Sequence, residues 1–162
     1  MELSGQTHIQ RPAGEVFALW ADLARSTEYS AATIERRKLT PGPVAVGTQY
    51  HAVDRWPGRT VAFTVEVTTF EPPQHMAARW SKPMAGGWEA RFVPVDGGTD
   101  VTFTTTIEAS GVMGLFAPLL RPWAARQLRA FMDDFRRWAV AQPGLARGPA
   151  AHSSGVVGHG PE

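Results

Sequence analysis

Tyr50 and His51 stand side by side in Gly47-Thr48-Gln49-Tyr50-His51-Ala52-Val53, a stretch of strand character. Neighbouring strand residues point to opposite faces, so at most one of the two reaches an interior. A histidine turned inward would suit general acid–base work, because its ordinary pKa lies near neutrality; turned outward it is a surface side chain. Arg55, Arg59, Arg79 and Arg91 are of the type that holds a carboxylate or phenolate bidentately when buried. Arg79 and Arg91 alternate with Trp80, Trp88 and Phe92, so they are expected to face solvent and pair with acids such as Glu89. Arg55 or Arg59 is then the better interior cation, and Tyr50, His51 and Arg59 are the catalytic candidates. His8 and His75 fall near strand starts and read as surface residues. No His-x-His or Glu-x-x-His spacing occurs, and the chain has no Cys. Metal sites, thiol chemistry and disulfides are therefore not expected, nor is a cofactor.

The elements that must position these residues come from periodicity. Ser4 to Gln10 reads as a short strand, stopped by Arg11-Pro12. Val16, Phe17, Leu19, Trp20 and Leu23 recur at helical spacing, predicting a helix over 13–21 and a shorter one over 24–29. From Ile34 the period becomes two, with turn signals at Pro41-Gly42-Pro43, Trp56-Pro57-Gly58, Pro72-Pro73, Ala85-Gly86-Gly87 and Asp96-Gly97-Gly98. Strands are predicted over 34–39, 48–55, 60–71, 75–82, 88–95 and 100–110. After Gly111 a long amphipathic helix runs to about Gln142, with Phe116, Leu119, Leu120, Trp123, Leu128, Phe131, Phe135 and Trp138 on its apolar stripe. Pro118 and Pro122 are expected to kink or segment its first turns. The order of elements is α+β: a seven-stranded antiparallel sheet with one apolar face, which the last helix can cover. A sheet of that width curls, leaving a space that is either packed solid or a ligand cavity.

Composition narrows the class. The 162 residues are 43% hydrophobic and 19% charged, which suits one folded domain. A net charge of +1 favours no nucleic-acid partner. The apolar run Val112 to Leu120 is too short to cross a bilayer and Met1-Glu2-Leu3-Ser4 begins no signal peptide, so a cytoplasmic protein is expected. Pro143 to Glu162 contains five Gly and three Pro with few large apolar residues, so residues 143–162 read as a disordered tail after a domain over 1–142. Between Phe116 and Gln142 there are five Arg and two Asp; beside the apolar first turns, this charge could meet an anionic membrane transiently. The sequence leaves monomer and homodimer open. It shows no exposed apolar patch of the kind a protein-binding module needs.

An ordered series of short motifs then resembles a known family. It starts with Ile9-Gln10-Arg11-Pro12-Ala13-Gly14-Glu15-Val16-Phe17, Trp20, Asp22 and Tyr29. Gly42-Pro43-Val44-Ala45-Val46-Gly47-Thr48, Phe70-Glu71-Pro72-Pro73 and Phe92-Val93-Pro94-Val95 follow, and then Gly98-Thr99-Asp100-Val101-Thr102 and Leu115-Phe116-Ala117-Pro118-Leu119-Leu120. Over residues 3 to 141 the chain resembles the SRPBCC superfamily, which includes START domains and polyketide cyclases and has the helix-grip fold. The resemblance implies a hydrophobic cavity between the sheet and the C-terminal helix, and an inward aromatic at Tyr50. Trp20, Tyr29, Tyr50, Phe63, Trp80 and Trp88 are the expected ligand contacts on the early elements. Phe92, Phe103, Phe116, Trp123 and Phe131 are those on the later ones. The expected function is binding or carriage of a hydrophobic, lipid- or polyketide-like molecule; the alternative is a polyketide aromatase/cyclase acting in the same cavity.

Overall fold

The computed structural model describes residues 1–108 and 111–144. Residues 145–162, nearly all of the expected tail, lie outside it. β1 (Glu2–Ile9) leads through Pro12 into α1 (Ala13–Ala21), whose bounds match the apolar period. The Pro12 carbonyl accepts from the amides of Glu15 and Val16, so a residue with no amide of its own starts the helix. The second expected helix is a 3₁₀ helix over Leu23–Glu28, one residue earlier than its pattern suggested. Strands β2 (Thr33–Lys38), β3 (Gln49–Trp56), β4 (Arg59–Glu71), β5 (His75–Trp80), β6 (Gly86–Val95) and β7 (Gly98–Ile107) follow. α2 covers Val112–Ala141.

The seven strands form one antiparallel, curved sheet in the order β1-β7-β6-β5-β4-β3-β2. Every hairpin joins strand neighbours, and β1 closes the far edge against β7. The two-residue turn Asp96-Gly97 needs Gly98 behind it: a Cβ there would stand 2.1 Å from the Ile9 carbonyl oxygen. Alternation places Val101 and Phe103 on the covered face, and Thr102, Thr104 and Thr106 on the open one.

Two irregularities change which side chains turn inward. A bulge in β4 between Val67 and Thr69 shifts the inward set from Val61, Val65 and Val67 to Phe70, opposite buried Met76. A second, in β2 between Thr33 and Glu35, leaves Ile34 45% exposed and sets Arg36 opposite fully buried Ala52. An isoleucine therefore faces water and an arginine faces in.

α2 is one helix through Pro118 and Pro122, so the expected segmentation does not occur. Its buried stripe, Leu128, Met132, Phe135 and Ala139, occupies only the second half. Leu128 and Met132 sit over Gly5 of β1. The first half is a correction to the expected stripe: Phe116, Leu120 and Trp123 are 41–49% exposed, and Leu115 and Leu119 more so. Length explains it. Thirty helical residues span about 45 Å, whereas a ten-residue strand spans about 33 Å, so a helix anchored at its C-terminal end overhangs the sheet. The overhang is an exposed apolar patch that the sequence pattern had concealed.

The anchor is specific. Arg11, 9% exposed, donates from Nη1 to the Ala139 carbonyl and, at 2.7 Å, to that of Gln142. Arg25 donates to Gln142 Oε1 at 2.8 Å, and the Trp138 indole donates to Glu28 at 2.9 Å. The last turn of α2 holds no basic residue, so the β1–α1 corner supplies the cation for the carbonyl end of the helix, where the Ala139 carbonyl also accepts from the Gln142 amide.

Candidate functional site

The inward face has two halves of different character. Under the second half of α2, the Trp20 ring meets Trp88, Phe92, Phe103, Phe131 and Phe135 at centroid distances of 4.9 to 6.1 Å, with mostly edge-to-face angles. Tyr29 extends the cluster to Phe131, Phe135 and Trp138. These rings touch one another, so this half is packed core.

The other half belongs to β2–β5. Its floor is small, with Ala52, Val65 and Ala78 all buried, and Phe63 and Trp88 lie against it as half-buried rings. The Trp80 ring lies 5.7 Å from Phe63 and over Gly86, where a Cβ would come within 2.5 Å of the indole. Phe63 and Trp80 thus keep accessible apolar surface on the sheet's concave side. The principal sheet contact of α2 is with β1, at the opposite edge. Phe116 and Trp123, expected to line the same space, stand on the exposed overhang.

The polar groups of this half include Tyr50, Arg36 and Asp54, with half-buried Lys38 in register with Tyr50. Tyr50 is buried and inward, as the resemblance implied, and burial pushes its phenol up to about 12, with the Asp22 carboxylate adding to the effect. Burial likewise raises Tyr29. Arg36 Nη2 donates to Asp54 at 3.0 and 3.4 Å, while Nε donates to Ser26 Oγ at 3.5 Å. Burial raises the Asp54 carboxyl above its usual range, opposed by Arg36. Neither Arg36 nor Asp54 was singled out from sequence. Glu35-Arg36-Arg37-Lys38 reads as a charged edge strand, and only a bulge turns Arg36 inward. The available signal was Asp54, a carboxylate in register with inward Tyr50 and Ala52.

The other candidates lie elsewhere. His51 is on the outer face, opposite Arg37 and Thr64. Arg55, also on that face, and Arg59, at the β3–β4 turn, are exposed, which corrects the expectation of an interior cation from either. Arg79 pairs with Glu66 at 3.1 Å and Arg91 with Glu89 at 3.5 Å. His8 pairs with Asp100 and His75 with Glu89, both on the outer face. No group of three metal-binding side chains occurs among the described residues. Two open grooves also exist: about 530 Å³ between the 3₁₀ helix and Trp138, and about 620 Å³ on the outer face near Glu66, Arg79 and Gly87. The first lies away from the inward face, and the second reaches its edge only at Trp80 and Gly86. The arrangement therefore offers an apolar surface, a neutral phenol and a fixed guanidinium, with no histidine on the inward face among the described residues.

Residues 1–139 match the model of a family described as polyketide cyclase / dehydrase and lipid transport. The chain belongs to that family. Among solved structures it is similar to TTHA0849 from Thermus thermophilus, at 17% identity and a TM-score of 0.75, over 87% of this chain and 98% of that one. It is also similar to the Zhui aromatase/cyclase from Streptomyces sp. R1128, at 16% identity and a TM-score of 0.68, over 86% and 93%. The di-domain ARO/CYC BexL from the BE-7585A biosynthetic pathway matches at 15% identity and a TM-score of 0.67, over 88% of this chain and 51% of that protein. At such identities these likenesses show the fold. No curated protein matches the sequence. No helix among the described residues is long and apolar enough to cross a membrane.

Proposed function

We propose that this protein binds a hydrophobic small molecule on the inward face of β2–β5, which α2 leaves uncovered, as a carrier or binding protein. The observation that carries the reading is the uneven cover of that face: one half packed by α2, the other left with half-buried Phe63 and Trp80 over a floor of Ala52, Val65 and Ala78. The exposed turns from Val112 to Trp123 form its entrance. Covering about 300 Å² of apolar ligand surface contributes about 7 kcal/mol before ordering costs, which caps the affinity from burial alone at about 10 μM and leaves the polar groups of the face to add to it. Native mass spectrometry of the purified protein should show a co-purified lipid- or polyketide-like molecule. An empty protein whose Trp fluorescence also fails to respond to a panel of apolar ligands would refute the reading.

A second reading, cyclisation of a poly-β-ketone, is favoured by one observation: Tyr50 and Arg36 put hydrogen-bond donors on the same face. In that case Tyr50→Phe should lower turnover and leave binding intact. The entrance turns also carry the proposed membrane contact, with Arg121, Arg126 and Arg129 following on the same helix. Flotation with anionic but not neutral phospholipid vesicles supports that contact, and flotation with neither removes it.

A further inference from the structure

We infer that the exposed stripe on the first half of α2 is a seam for a second copy of this chain, the two helices pairing antiparallel about a two-fold axis. This goes beyond the binding reading and does not depend on it.

The stripe is not the buried one prolonged. At 3.6 residues per turn, Val112, Phe116, Leu119 and Trp123 fall within about 60° of one another and about 160° around the helix from Leu128, Met132, Phe135 and Ala139. The chain's own sheet lies under the second set, so the first faces away from it. Spacings of four, three and four put the first set at the alternating core positions of a helix pair, with Leu115 and Leu120 beside them. Arg121 falls on the far side of the helix, so no charge interrupts the stripe.

Its size also exceeds scattered exposure. Val112, Leu115 and Leu119 are 73–77% exposed, and Phe116, Leu120 and Trp123 are 41–49% exposed. Together the six leave about 700 Å² in water, against about 300–600 Å² for the largest apolar patch of an ordinary monomer. Burying most of it in two copies removes about 1,000 Å² in total, the size of a reversible interface rather than a permanent one. The expected dissociation constant is on the order of tens of micromolar.

Charge selects the direction and the partner. No acidic residue lies between Glu108, four positions before Val112, and Asp133; Arg126 stands three positions after Trp123. Glu108 and Arg126 are both exposed. In an antiparallel pair Val112 meets Trp123 of the second copy, Leu115 meets Leu120 and Phe116 meets Leu119. Each Arg126 is then carried to the end where the other copy's Glu108 stands, whereas a parallel pair sets arginine beside arginine. An anionic bilayer suits Arg126 but not Glu108; a second copy suits both. The two sheets stay on the outer sides of the helix pair, so each inward face remains open.

Sedimentation velocity of the full chain from about 1 to about 300 μM should show the average mass rising from one chain towards two. Leu119→Asp, at an exposed position, should keep the circular dichroism of the wild type and weaken association about tenfold or more. Glu108→Arg and Arg126→Glu should each weaken it about fivefold, and the double variant should recover most of the loss, because both ion pairs return with their signs exchanged. A wild-type chain that is still monomeric at about 300 μM would overturn the inference and leave the stripe to the membrane contact. Association that survives Leu119→Asp, or charge reversals that add rather than compensate, would overturn it as well.

Discussion

Arg11→Met tests whether the C-terminal end of α2 is held from outside the helix. In the native protein Arg11 Nη1 reaches the carbonyls of Ala139 and Gln142, and Nε pairs with Glu15 at 2.9 Å. Hydrogen bonds from a charged donor contribute about 1.5–3 kcal/mol each, so the two set an upper range near 6 kcal/mol, reached only in part because the Ala139 carbonyl also accepts from the Gln142 amide. Removing a buried cation returns part of that, because its desolvation no longer has to be offset, and Glu15, 24% exposed, is rehydrated. The net expectation is about 3 kcal/mol, or a fall in Tm of about 9 °C for a chain of this size. Urea unfolding followed by circular dichroism measures the first and a thermal scan the second. Hydrogen exchange adds location: amides of Phe135 to Ala139 should lose protection while those of β6 and β7 lose it only in proportion to global stability. Arg11→Lys should recover part of the loss, since it keeps the charge but not the fork of donors. A loss below about 0.5 kcal/mol with unchanged exchange in α2 would refute the reasoning.

Four further outcomes follow from the same structure. Tyr29 and Tyr50 are the chain's two tyrosines, and burial raises both phenols above 10.0. Spectrophotometric titration should therefore show almost no tyrosinate in the folded protein as pH passes 10.0, and its full appearance on unfolding. Because the folded state keeps these protons longer, the stability they contribute is complete below 10.0 and is lost as pH rises towards the folded value of about 12 for Tyr50. Early ionisation of either tyrosine would show that it is not buried. Asp54 behaves alike at acid pH: its raised carboxyl should make the wild type gain stability relative to Asp54→Asn as pH falls towards 3.8, and a flat difference in denaturant titrations would deny it. Gly86→Ala places a Cβ against both the Trp80 ring and the Thr106 carbonyl, so it should cost about 2 kcal/mol in urea unfolding and change Trp emission. Leu115→Ser/Leu119→Ser, at exposed positions, should change stability by less than about 0.5 kcal/mol but slow ligand uptake in stopped-flow quenching; unchanged uptake would remove the entrance assigned to those turns.

The sequence by itself determined the order of elements. Val16, Phe17, Leu19 and Trp20 have one spacing that buries them together, and Val101, Phe103, Thr105 and Ile107 have another, so α1 and β7 were legible from local pattern. Glycine and proline pairs marked the hairpins because few other residues accept those turns. The six tryptophans pointed to an aromatic interior, but their types could not say whether they fill it. That depended on which rings meet across elements: Trp20 and Trp88 do, Trp80 rests on Gly86, and Trp123 meets solvent. The polar part of the site was hidden for a related reason. A single bulged residue in β2 reverses the facing of everything after it, so Arg36 reads as a solvent-facing charge in sequence and becomes an inward donor in the fold. Equally, the apolar stripe of α2 is continuous in sequence, yet where the sheet beneath it ends is set by strand length and by the Arg11 anchor at the helix's other end. Local periodicity records which residues seek cover; how far the cover extends is a property of the assembled sheet and helix.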